Sequence, residues 1–385
     1  YYSNFLVKHG VKTEVTATLR TACERFTFPK GESHLLLNLG EGLTKESGAM
    51  VKQVSPTEYE GMKLQGAFCY YAQAVFPIYF VMRVNKVPQS AGYWKKQRER
   101  TGKQAEWFPD RGQYKLYTAY QKEMAGDDIG VYMNFNTTDN EVIEVQMGVS
   151  FVSIANAREN LNAEQKGKDF NTIAQEARQK WNADLSRIEI EGGTKDQQTI
   201  FYTALYHTLI HPNILQDVNG QYPAMESNRV LTQHEGNRYT VFSLWDTYRN
   251  LHQFMTLVYP NRQRDMIKSM ISMYDESGWL PKWELFGRET YTMEGCWLKG
   301  LRGYDINKAY TAMKKGATTD EKSNPLRPDN NEYVEKGYIS LRDSFDNSVS
   351  HALEYYIADN ALSRLAAALG HKADAKLFYN RSMGY

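Results

Sequence analysis

The chain has 385 residues, with 46 Lys and Arg against 45 Asp and Glu, which gives a formal net charge of +1. This balance gives no electrostatic reason to expect nucleic acid or an anionic membrane surface as a partner, and a neutral ligand fits better. The length exceeds what one hydrophobic core usually serves, so we expect two domains.

Aromatic residues make up 13% of the chain, and 27 of them are tyrosines. An amphipathic ring can stack on the apolar face of a sugar while its polar edge forms hydrogen bonds. Ordinary packing in a β-rich core explains most individual rings equally well. The composition is therefore compatible with a carbohydrate ligand without requiring one.

Strand-like alternation of apolar and polar residues fills the first part of the chain. The side chains expected to face the core on three of these strands are Val11, Val15, Ala17 and Leu19; Ile78, Phe80, Met82 and Val84; and Ile143, Val145, Met147 and Val149. Short strands separated by turns, with no helical period before about Phe170, indicate an antiparallel β-sandwich.

The uncharged stretch 66–82 contains Gln73 and Pro77. It is shorter than the ~20 apolar residues that a membrane-spanning helix needs, so we interpret it as buried strands and expect no membrane-spanning segment. The three cysteines, Cys23, Cys69 and Cys296, are too scattered for a disulfide framework or a metal cluster. They leave the redox compartment open.

Helical periodicity begins near Phe170 and continues to the last residues. Thr194 and Gln197 have the spacing of a capping box, which predicts the start of another helix. The polar run 318–331 is predicted to be a surface loop. The apolar residues that mark three helices are Ile173, Ala177, Trp181 and Leu185; Met266, Ile267, Met270 and Ile271; and Val349, Ala352, Leu353, Tyr356, Ile357 and Ala361, the last stripe ending at Gly370. A helical barrel or bundle is expected to follow the sandwich.

A first cluster of chemically versatile residues lies in residues 242–249, FSLWDTYR. If this segment is helical, Asp246 and Arg249 share one face, with Trp245 beside them. A carboxylate can accept hydrogen bonds from sugar hydroxyls, a guanidinium can donate to them, and an indole can close the floor of a pocket. A surface ion pair at the start of a helix explains the same residues equally well.

A second cluster lies in residues 278–284, GWLPKWE, and continues with Glu289 and Glu294. Tryptophans and carboxylates around a proline turn are typical of a loop that lines a pocket, although a contact between domains uses the same residue types. A glycosidase needs one protonated and one ionised carboxyl group. The spacing does not identify that pair here.

The histidines indicate little. His207 and His211 are four residues apart, which could place both on one helix face as metal ligands, but the zinc-protease pattern is absent. A packing or capping role explains both histidines better.

Several motifs, in this order along the chain, resemble those of glycoside hydrolase family 92. They are residues 13–20 (TEVTATLR), 25–29 (RFTFP), 242–249 (FSLWDTYR), 278–283 (GWLPKW), 348–350 (SVS) and 353–355 (LEY). The resemblance implies calcium-dependent exo-acting α-mannosidases that act on α-mannoside glycans and invert the anomeric centre.

The resemblance also implies an N-terminal antiparallel β-sandwich followed by an (α/α)6 helical barrel. We expect the sandwich in residues 1–165, incomplete at its N-terminus, and the catalytic barrel in residues 166–385, incomplete at its C-terminus. By position, the resemblance implies that Trp245, Asp246 and Arg249 bind the terminal mannose. It implies the same role for Trp283 and Glu284 of the neighbouring loop.

The general acid, the general base and most Ca²⁺ ligands are expected beyond Tyr385, so the catalytic and metal-binding residues stay unknown at this stage. We favour a piece of a longer enzyme over a truncated protein, because half a barrel would expose large apolar faces. The family and its substrate imply a secreted protein, periplasmic or on the cell surface of a bacterium. Oligomeric state and linkage preference cannot be read from the residues.

The leading hypothesis is therefore an exo-acting, inverting α-mannosidase that removes terminal α-mannose from glycans or mannan. The alternative from another class is a non-catalytic mannose-binding or surface-assembly protein that keeps the pocket of Trp245, Asp246 and Arg249. A weaker alternative is an enzyme of the same architecture that acts on a different sugar.

Overall fold

The computed structural model of the chain describes residues 1–42, 47–66, 75–97, 103, 114–118, 121–225, 227–281, 283–284, 300–341 and 347–384, without the side chains of Trp245, Trp283 and Glu284. The chain divides into two compact units. The first is Tyr1–Ile188 with Asp217–Gln221, and the second is Glu189–Gln216 with Tyr222–Tyr385.

Within the described residues, the first unit contains two antiparallel sheets. Their strands are β1 (Tyr2–Leu6), β2 (Val11–Ala17), β3 (Thr21–Phe28), β4 (Gly31–Asn38), β5 (Ala49–Ser55), β6 (Glu58–Gly66), β7 (Val75–Val84), β8 (Ser90–Lys96), β9 (Tyr114–Tyr117), β10 (Glu123–Gly126), β11 (Ile129–Thr137) and β12 (Glu141–Ser150). The larger sheet has the order β1-β2-β3-β12-β7-β6-β5-β10, and the smaller has the order β4-β11-β8-β9.

The inner faces of the two sheets form one apolar core. Met82 and Val145 of the larger sheet pack in the same cluster as Met133 and Phe135 of the smaller sheet. The register places Met147 of β12 opposite Met82 of β7, so their inward faces are in phase. The antiparallel sandwich and the predicted core faces of residues 78–84 and 143–149 are confirmed.

The facing of β2 differs from the prediction. Glu14 and Thr16 are 2% and 3% exposed, whereas Leu19, expected in the core, is 59% exposed. The guanidinium of Arg25 donates from Nε to Oε2 of Glu14 at 2.8 Å, which compensates the buried carboxylate. A helix covers this side of the sheet, so the polar face of β2 is buried as well.

Two helices follow the strands within the first unit, α1 (Ile154–Gln165) and α2 (Phe170–Leu185). The amphipathic helix from Phe170 is confirmed. The expectation that no helix precedes it was wrong, because the apolar face of α1 is short, with Ile154, Ala157 and Leu161 packed against Val81. Its buried side chains include the polar residues Asn156, Asn160 and Gln165.

A buried carboxylate explains the polar face of α1. Oδ2 of Asp217 accepts from Ser150 Oγ at 2.7 Å and from Asn156 Nδ2 at 2.8 Å. Its Oδ1 accepts from Asn160 Nδ2 at 2.6 Å. Burial raises the pKa of Asp217 in spite of these donors. The network attaches residues 217–221 to the sandwich unit.

The compact units divide after Ile188, so α2 belongs with the sheets. The sequence places the boundary between residues 165 and 166, ahead of that helix. The domain limits 1–165 and 166–385 stay a prediction.

Helices predominate among the described residues after 188. The helices are α3 (Lys195–His207), α4 (Leu244–Thr247), α5 (Leu251–Val258), α6 (Pro260–Ser277), α7 (Ile306–Thr318), α8 (Asn330–Lys336), α9 (Ser348–Ala368) and α10 (Lys372–Arg381), with a 3₁₀ turn at Glu321–Ser323. The short strands are β13 (Asn213–Ile214), β14 (Gln221–Pro223), β15 (Val230–Thr232), β16 (Tyr239–Thr240), β17 (Phe242–Ser243) and β18 (Trp283–Glu284).

Helix α6 lies in the core of the second unit. Its predicted apolar residues Met266, Ile267 and Met270 are 1%, 1% and 2% exposed. The capping box of Thr194 and Gln197 opens α3 as predicted. A helical unit after the sandwich is thereby confirmed, while its closure into an (α/α)6 barrel stays a prediction.

The long helix α9 ends as predicted, but its buried face differs. Gly370 has φ +85°, the left-handed conformation that commonly terminates a helix. Val349, expected on the buried stripe, is 68% exposed, whereas Asp359 is fully buried. Ala352 and Tyr356 of the predicted stripe are 6% and 8% exposed, so the stripe gives part of the buried side of this helix.

The run 318–331, predicted as a surface loop, is partly buried, with Asn324 and Arg327 each 3% exposed. Nη2 of Arg327 lies 2.8 Å from Oδ1 of Asp359, and Nε of Arg381 lies 2.9 Å from Oδ2. The hydroxyl of Tyr333 donates to the same carboxylate at 3.0 Å. The prediction failed because the buried polar residues of this run find partners: Asp359 compensates the charge of Arg327, and Asn324 donates to the carbonyl oxygen of Gly316 at 2.9 Å.

No helix in the described parts of the chain is both long and apolar enough to cross a membrane. Strand β7 accounts for residues 75–82 of the uncharged stretch; residues 67–74 lie outside the described residues. Cys23 is a buried free thiol whose pKa is raised by burial to about 12. Cys69 and Cys296 lie outside the described residues.

Candidate active site

The two predicted sugar-binding segments meet in one antiparallel bridge. β17 of the first segment pairs with β18 of the second, which places Phe242 opposite Glu284 and Ser243 opposite Trp283. These residues are about 40 positions apart in the sequence. The pairing joins the backbones of the two segments that sequence analysis identified separately.

The bridge is anchored from below by the core. Phe242 and Leu244, on either side of Ser243, are 1% and 2% exposed and belong to the cluster that contains α6. Because both apolar side chains are packed in the core, they fix the position of the junction between β17 and α4.

Asp246 lies in the four-residue helix α4, and its carboxylate is exposed. The hydroxyl of Ser243 donates to Oδ2 of Asp246. An exposed carboxylate held by a neighbouring hydroxyl keeps lone pairs that can accept hydrogen bonds from a polar ligand.

Arg249 lies beyond the end of α4, which stops at Thr247, so Asp246 and Arg249 do not share a regular helix face. Nε of Arg249 donates to the hydroxyl of Tyr248 at 2.9 Å, and its guanidinium carbon lies 5.3 Å from the centre of that ring. The hydrogen bond to Tyr248 raises the pKa of the guanidinium. Arg249 is exposed and charged.

Trp245 follows Leu244 in α4, and Trp283 and Glu284 form β18. The structure therefore gives the backbone position of all three predicted residues, while their side chains are not described. Glu289 and Glu294 lie outside the described residues. The roles assigned to the five site residues stay predictions.

A buried histidine supports α4 from behind. The hydroxyl of Thr247 lies 2.9 Å from the carbonyl oxygen of Ser243 and 2.9 Å from Nε2 of His252. The other ring nitrogen, Nδ1, lies 3.1 Å from Oε1 of Gln263. Because Thr247 donates its single hydroxyl proton to the carbonyl oxygen of Ser243, a neutral ring carries its proton on Nε2 and donates to Thr247 Oγ1.

Burial lowers the pKa of His252, although the hydrogen bond with Gln263 opposes this effect. The imidazole is 7% exposed, so its charged form would lose most of its hydration. His252 is therefore neutral, and its hydrogen bond with Thr247 holds the residue that follows Asp246.

A left-handed residue precedes β17. Val241 has φ +62°, which is uncommon for a β-branched side chain and costs about 1–3 kcal/mol. Strand β16 and the turn before it are tied to α6, because the backbone N–H of Tyr239, the first residue of β16, donates to Ser269 Oγ at 2.8 Å. Strain held by surrounding contacts is often found at functional sites.

A buried ion pair holds the same turn. Nη1 and Nη2 of Arg238 each lie 3.0 Å from a carboxylate oxygen of Glu276, and both side chains are almost fully buried. Glu276 also accepts from the backbone N–H of Met225 at 2.8 Å. Residues 225 and 238 are thereby fixed to the last turns of α6.

The second segment leaves α6 through a left-handed glycine. Gly278 has φ +80°, and its N–H donates to the carbonyl oxygen of Tyr274 at 2.8 Å. The hydroxyl of Ser277 lies 3.1 Å from the carbonyl oxygen of Trp279 and 3.2 Å from its backbone nitrogen. These contacts set the direction in which the chain runs toward β18.

The histidine pair considered for metal binding is separated in the structure. His207 ends α3, whereas His211 lies past the helix with Nδ1 2.7 Å from Oδ1 of Asn213. Among the residues that the structure describes, no group of three or more His, Cys, Asp and Glu side chains is placed to hold a metal ion. These residues therefore do not fit a complete Ca²⁺ site.

The residues that support α4 and the segment before it belong to no motif of the sequence. His252 and Gln263 were not singled out because a lone histidine and a lone glutamine resemble ordinary core or surface residues. Arg238 and Glu276 are 38 positions apart, so no local spacing relates them. A polar residue inside an apolar helix face, as at Gln263, was the available signal.

Comparison with known proteins identifies two family models that cover most of the chain. The Glycosyl hydrolase family 92 N-terminal domain matches residues 1–150, and the Glycosyl hydrolase family 92 catalytic domain matches residues 156–385. No curated protein sequence gives a significant match.

Solved structures of two mannosidases from Bacteroides thetaiotaomicron resemble the chain over its whole length. The family GH92 α-mannosidase BT3965 is 28% identical with a TM-score of 0.84, and the match covers 100% of this chain and 50% of that one. A complex of the same enzyme with mannoimidazole gives the same identity and TM-score and covers 49% of that chain.

The family GH92 inverting mannosidase BT2199 from the same organism is 26% identical with a TM-score of 0.84. This match covers 100% of the present chain and 50% of that chain. The present chain thus spans about half the length of these solved structures.

Proposed function

The chain belongs to glycoside hydrolase family 92, and we propose that the whole protein is an exo-acting, inverting α-mannosidase that releases terminal α-mannose from glycans. The similar structures support this proposal, since one enzyme is described as an α-mannosidase and was also solved with mannoimidazole, and the other is described as an inverting mannosidase.

The observation that carries the proposal is the bridge between β17 and β18. It brings the segment of Asp246 beside the segment of Trp283 and Glu284, which are the two places where mannose-binding residues were predicted. A sugar site needs hydrogen-bonding groups and aromatic rings on adjacent backbone segments. The bridge provides this arrangement within one unit.

The exposed groups suit different parts of a mannose ring. Asp246 can accept hydrogen bonds from two neighbouring hydroxyl groups, and Arg249 can donate to a hydroxyl oxygen. Because each interaction depends on where the hydroxyls point, the pair would distinguish one sugar epimer from another. Trp245, Trp283 and Glu284 are proposed to complete the pocket.

Inversion requires two carboxyl groups about 6.5–9.5 Å apart, one protonating the glycosidic oxygen and one activating water. We propose that both lie outside residues 1–385. Within the chain, the proposed task of the site is to bind and orient the terminal mannose before the reaction.

Calcium is proposed as a cofactor of the whole protein, on the basis of the family resemblance. Bound Ca²⁺ would hold sugar hydroxyls by direct coordination. α-Mannoside glycans are the proposed ligands. We propose that the protein is secreted and lies in the periplasm or on the cell surface of a bacterium, because such glycans lie outside the cytoplasm.

The test is hydrolysis of a panel of p-nitrophenyl glycosides by the natural full-length protein, with proton NMR to identify the first anomer released. We expect cleavage of the α-mannoside, release of β-mannose first, and loss of turnover after calcium is chelated and recovery after it is restored. Binding of mannose without release would favour the non-catalytic mannose-binding alternative. Preference for another sugar would contradict the proposal.

A further inference from the structure

A lysine outside both predicted segments caps the exit from α6. Lys315 lies in the last turn of α7, and its Nζ donates to the carbonyl oxygen of Gly278 at 2.7 Å. The same Nζ lies 4.3 Å from the centre of the Trp279 ring and 5.7 Å from that of Tyr274. One ammonium group therefore lies close to three groups at the helix exit, which come from Tyr274, Gly278 and Trp279.

Each contact is favourable for a separate physical reason. The carbonyl at the C-terminal end of a helix carries partial negative charge, which a cation stabilises. The face of an indole ring attracts a cation through its quadrupole. Because an ammonium has three donor positions and a flexible stem, it can satisfy the carbonyl while it lies over the ring.

The position of this contact gives it a functional consequence. Gly278 and Trp279 begin the loop that reaches β18, the strand that pairs with β17 beside Asp246. The left-handed φ of Gly278 sets the direction of the loop, and Lys315 fixes both the carbonyl of Gly278 and the ring of the next residue.

We infer that Lys315 is a positioning residue for the sugar site: it holds the start of the 278–284 loop so that Trp283 and Glu284 stand beside the Asp246 segment. The inference rests on the proposed function for its catalytic consequence. Lys315 does not itself touch the sugar. Its contacts with Gly278 and Trp279 stand on the geometry alone.

The experiment compares Lys315→Met, which keeps the length of the stem and removes the charge, with Lys315→Arg and Lys315→Gln in the natural full-length protein. Lys314→Met is the matched control, because Lys314 is the adjacent residue of α7 and its Nζ pairs instead with Asp374 at 2.7 Å. Thermal unfolding establishes that each variant is folded before it is assayed.

Hydrogen exchange of the amides of Trp279 and Leu280, followed by mass spectrometry, reports on the loop directly. We expect Lys315→Met to accelerate this exchange and to raise KM for an aryl α-mannoside roughly tenfold, with kcat changed less, because fewer molecules hold the binding conformation. Lys315→Arg should restore most of the affinity, while Lys315→Gln should fall between the two.

Equal exchange and equal KM in Lys315→Met and Lys314→Met would overturn the inference. If Lys315→Met does not fold, the same comparison between Lys315→Gln and Lys314→Met decides it. If the wild-type protein releases no mannose, the proposed function fails, and loop exchange still tests whether Lys315 fixes the loop.

Discussion

At the scale of single residues, the candidate site consists of exposed groups supported by buried ones. Asp246 and Arg249 face solvent, whereas His252, which supports Thr247 beside them, is 7% exposed. A sugar must reach the first kind of residue, and the second kind keeps the first in place. Substitution of an exposed group should change sugar binding, whereas substitution of a buried group should change stability.

His252 gives a pH prediction for stability. Burial lowers its pKa in the folded protein below the ordinary value of 6.5. Above that value the ring is neutral in both states and adds no pH dependence. As the pH falls below 6.5, the unfolded chain binds the proton first, so the free energy of unfolding decreases until the pH passes the lower, folded pKa.

We therefore expect the stability difference between wild type and His252→Gln to shrink between pH 7 and pH 5. Urea unfolding at each pH measures it, and His9→Gln, at an exposed histidine of the first unit, serves as control. A difference that stays constant across this range would show that His252 does not titrate as a buried neutral ring.

Residue types alone led to the prediction of the exposed part of the candidate site. Trp, Asp and Arg in one short run pointed to residues 242–249, because these side chains combine stacking with hydrogen bonding. The supporting residues His252 and Lys315 could not be found in this way. Their importance comes from partners that the fold brings to them, such as the carbonyl of Gly278.

At the scale of elements, the direction in which α6 ends decides where the second segment goes. Gly278 and Gly337 are both left-handed residues that directly follow a helix, each with φ +80°. A Cβ at Gly278 would lie 3.5 Å from Nζ of Lys315, an ordinary contact, and one at Gly337 would meet nothing within 4 Å. The two glycines are thus closely matched.

Gly278→Ala and Gly337→Ala should each lower the free energy of unfolding by about 1–2 kcal/mol, because alanine is strained in the left-handed conformation. Gly278→Ala alone should also weaken the binding of mannoimidazole, since it alone changes the loop toward β18. Isothermal titration calorimetry and denaturant unfolding measure the two effects. Equal loss of mannoimidazole affinity in both variants would contradict a role for the direction of this loop.

Periodicity predicted elements well where one apolar face meets one core. Strands β7 and β12 and helix α6 are of this kind, and their buried residues were found. Periodicity failed where a second layer covers the other face, as on β2, or where polar residues are buried together, as on α1. In α1 the asparagines face the buried carboxylate of Asp217, which lies 57 positions from Asn160.

At the scale of the whole molecule, the order of sandwich and helical unit followed from the change of period near Phe170. Closure of the helices into an (α/α)6 barrel did not follow from periodicity, and it entered through the family resemblance. The charges that hold distant helices together were also unpredictable. Arg327, Asp359 and Arg381 come from separate segments and meet only after folding.

Asp359 is expected to be critical for the helical unit. Asp359→Asn removes the negative charge that compensates two buried guanidinium groups, so it should lower the free energy of unfolding by about 3–5 kcal/mol. Asp275→Asn, which breaks the exposed pair with Lys308, should cost less than about 1 kcal/mol. Guanidinium chloride unfolding compares them, and equal small losses would contradict a stabilising role for the buried network.

The most direct test of the proposed sugar site compares kcat/KM for release of mannose by the natural full-length protein with that of Asp246→Asn. Asp275→Asn is the control, since it neutralises another exposed carboxylate of the same unit. Loss of a charged hydrogen-bond acceptor should lower kcat/KM about 10- to 100-fold in Asp246→Asn. The control should match the wild type. An active wild type and an equally active Asp246→Asn would contradict the assignment of the mannose site to the bridged segments.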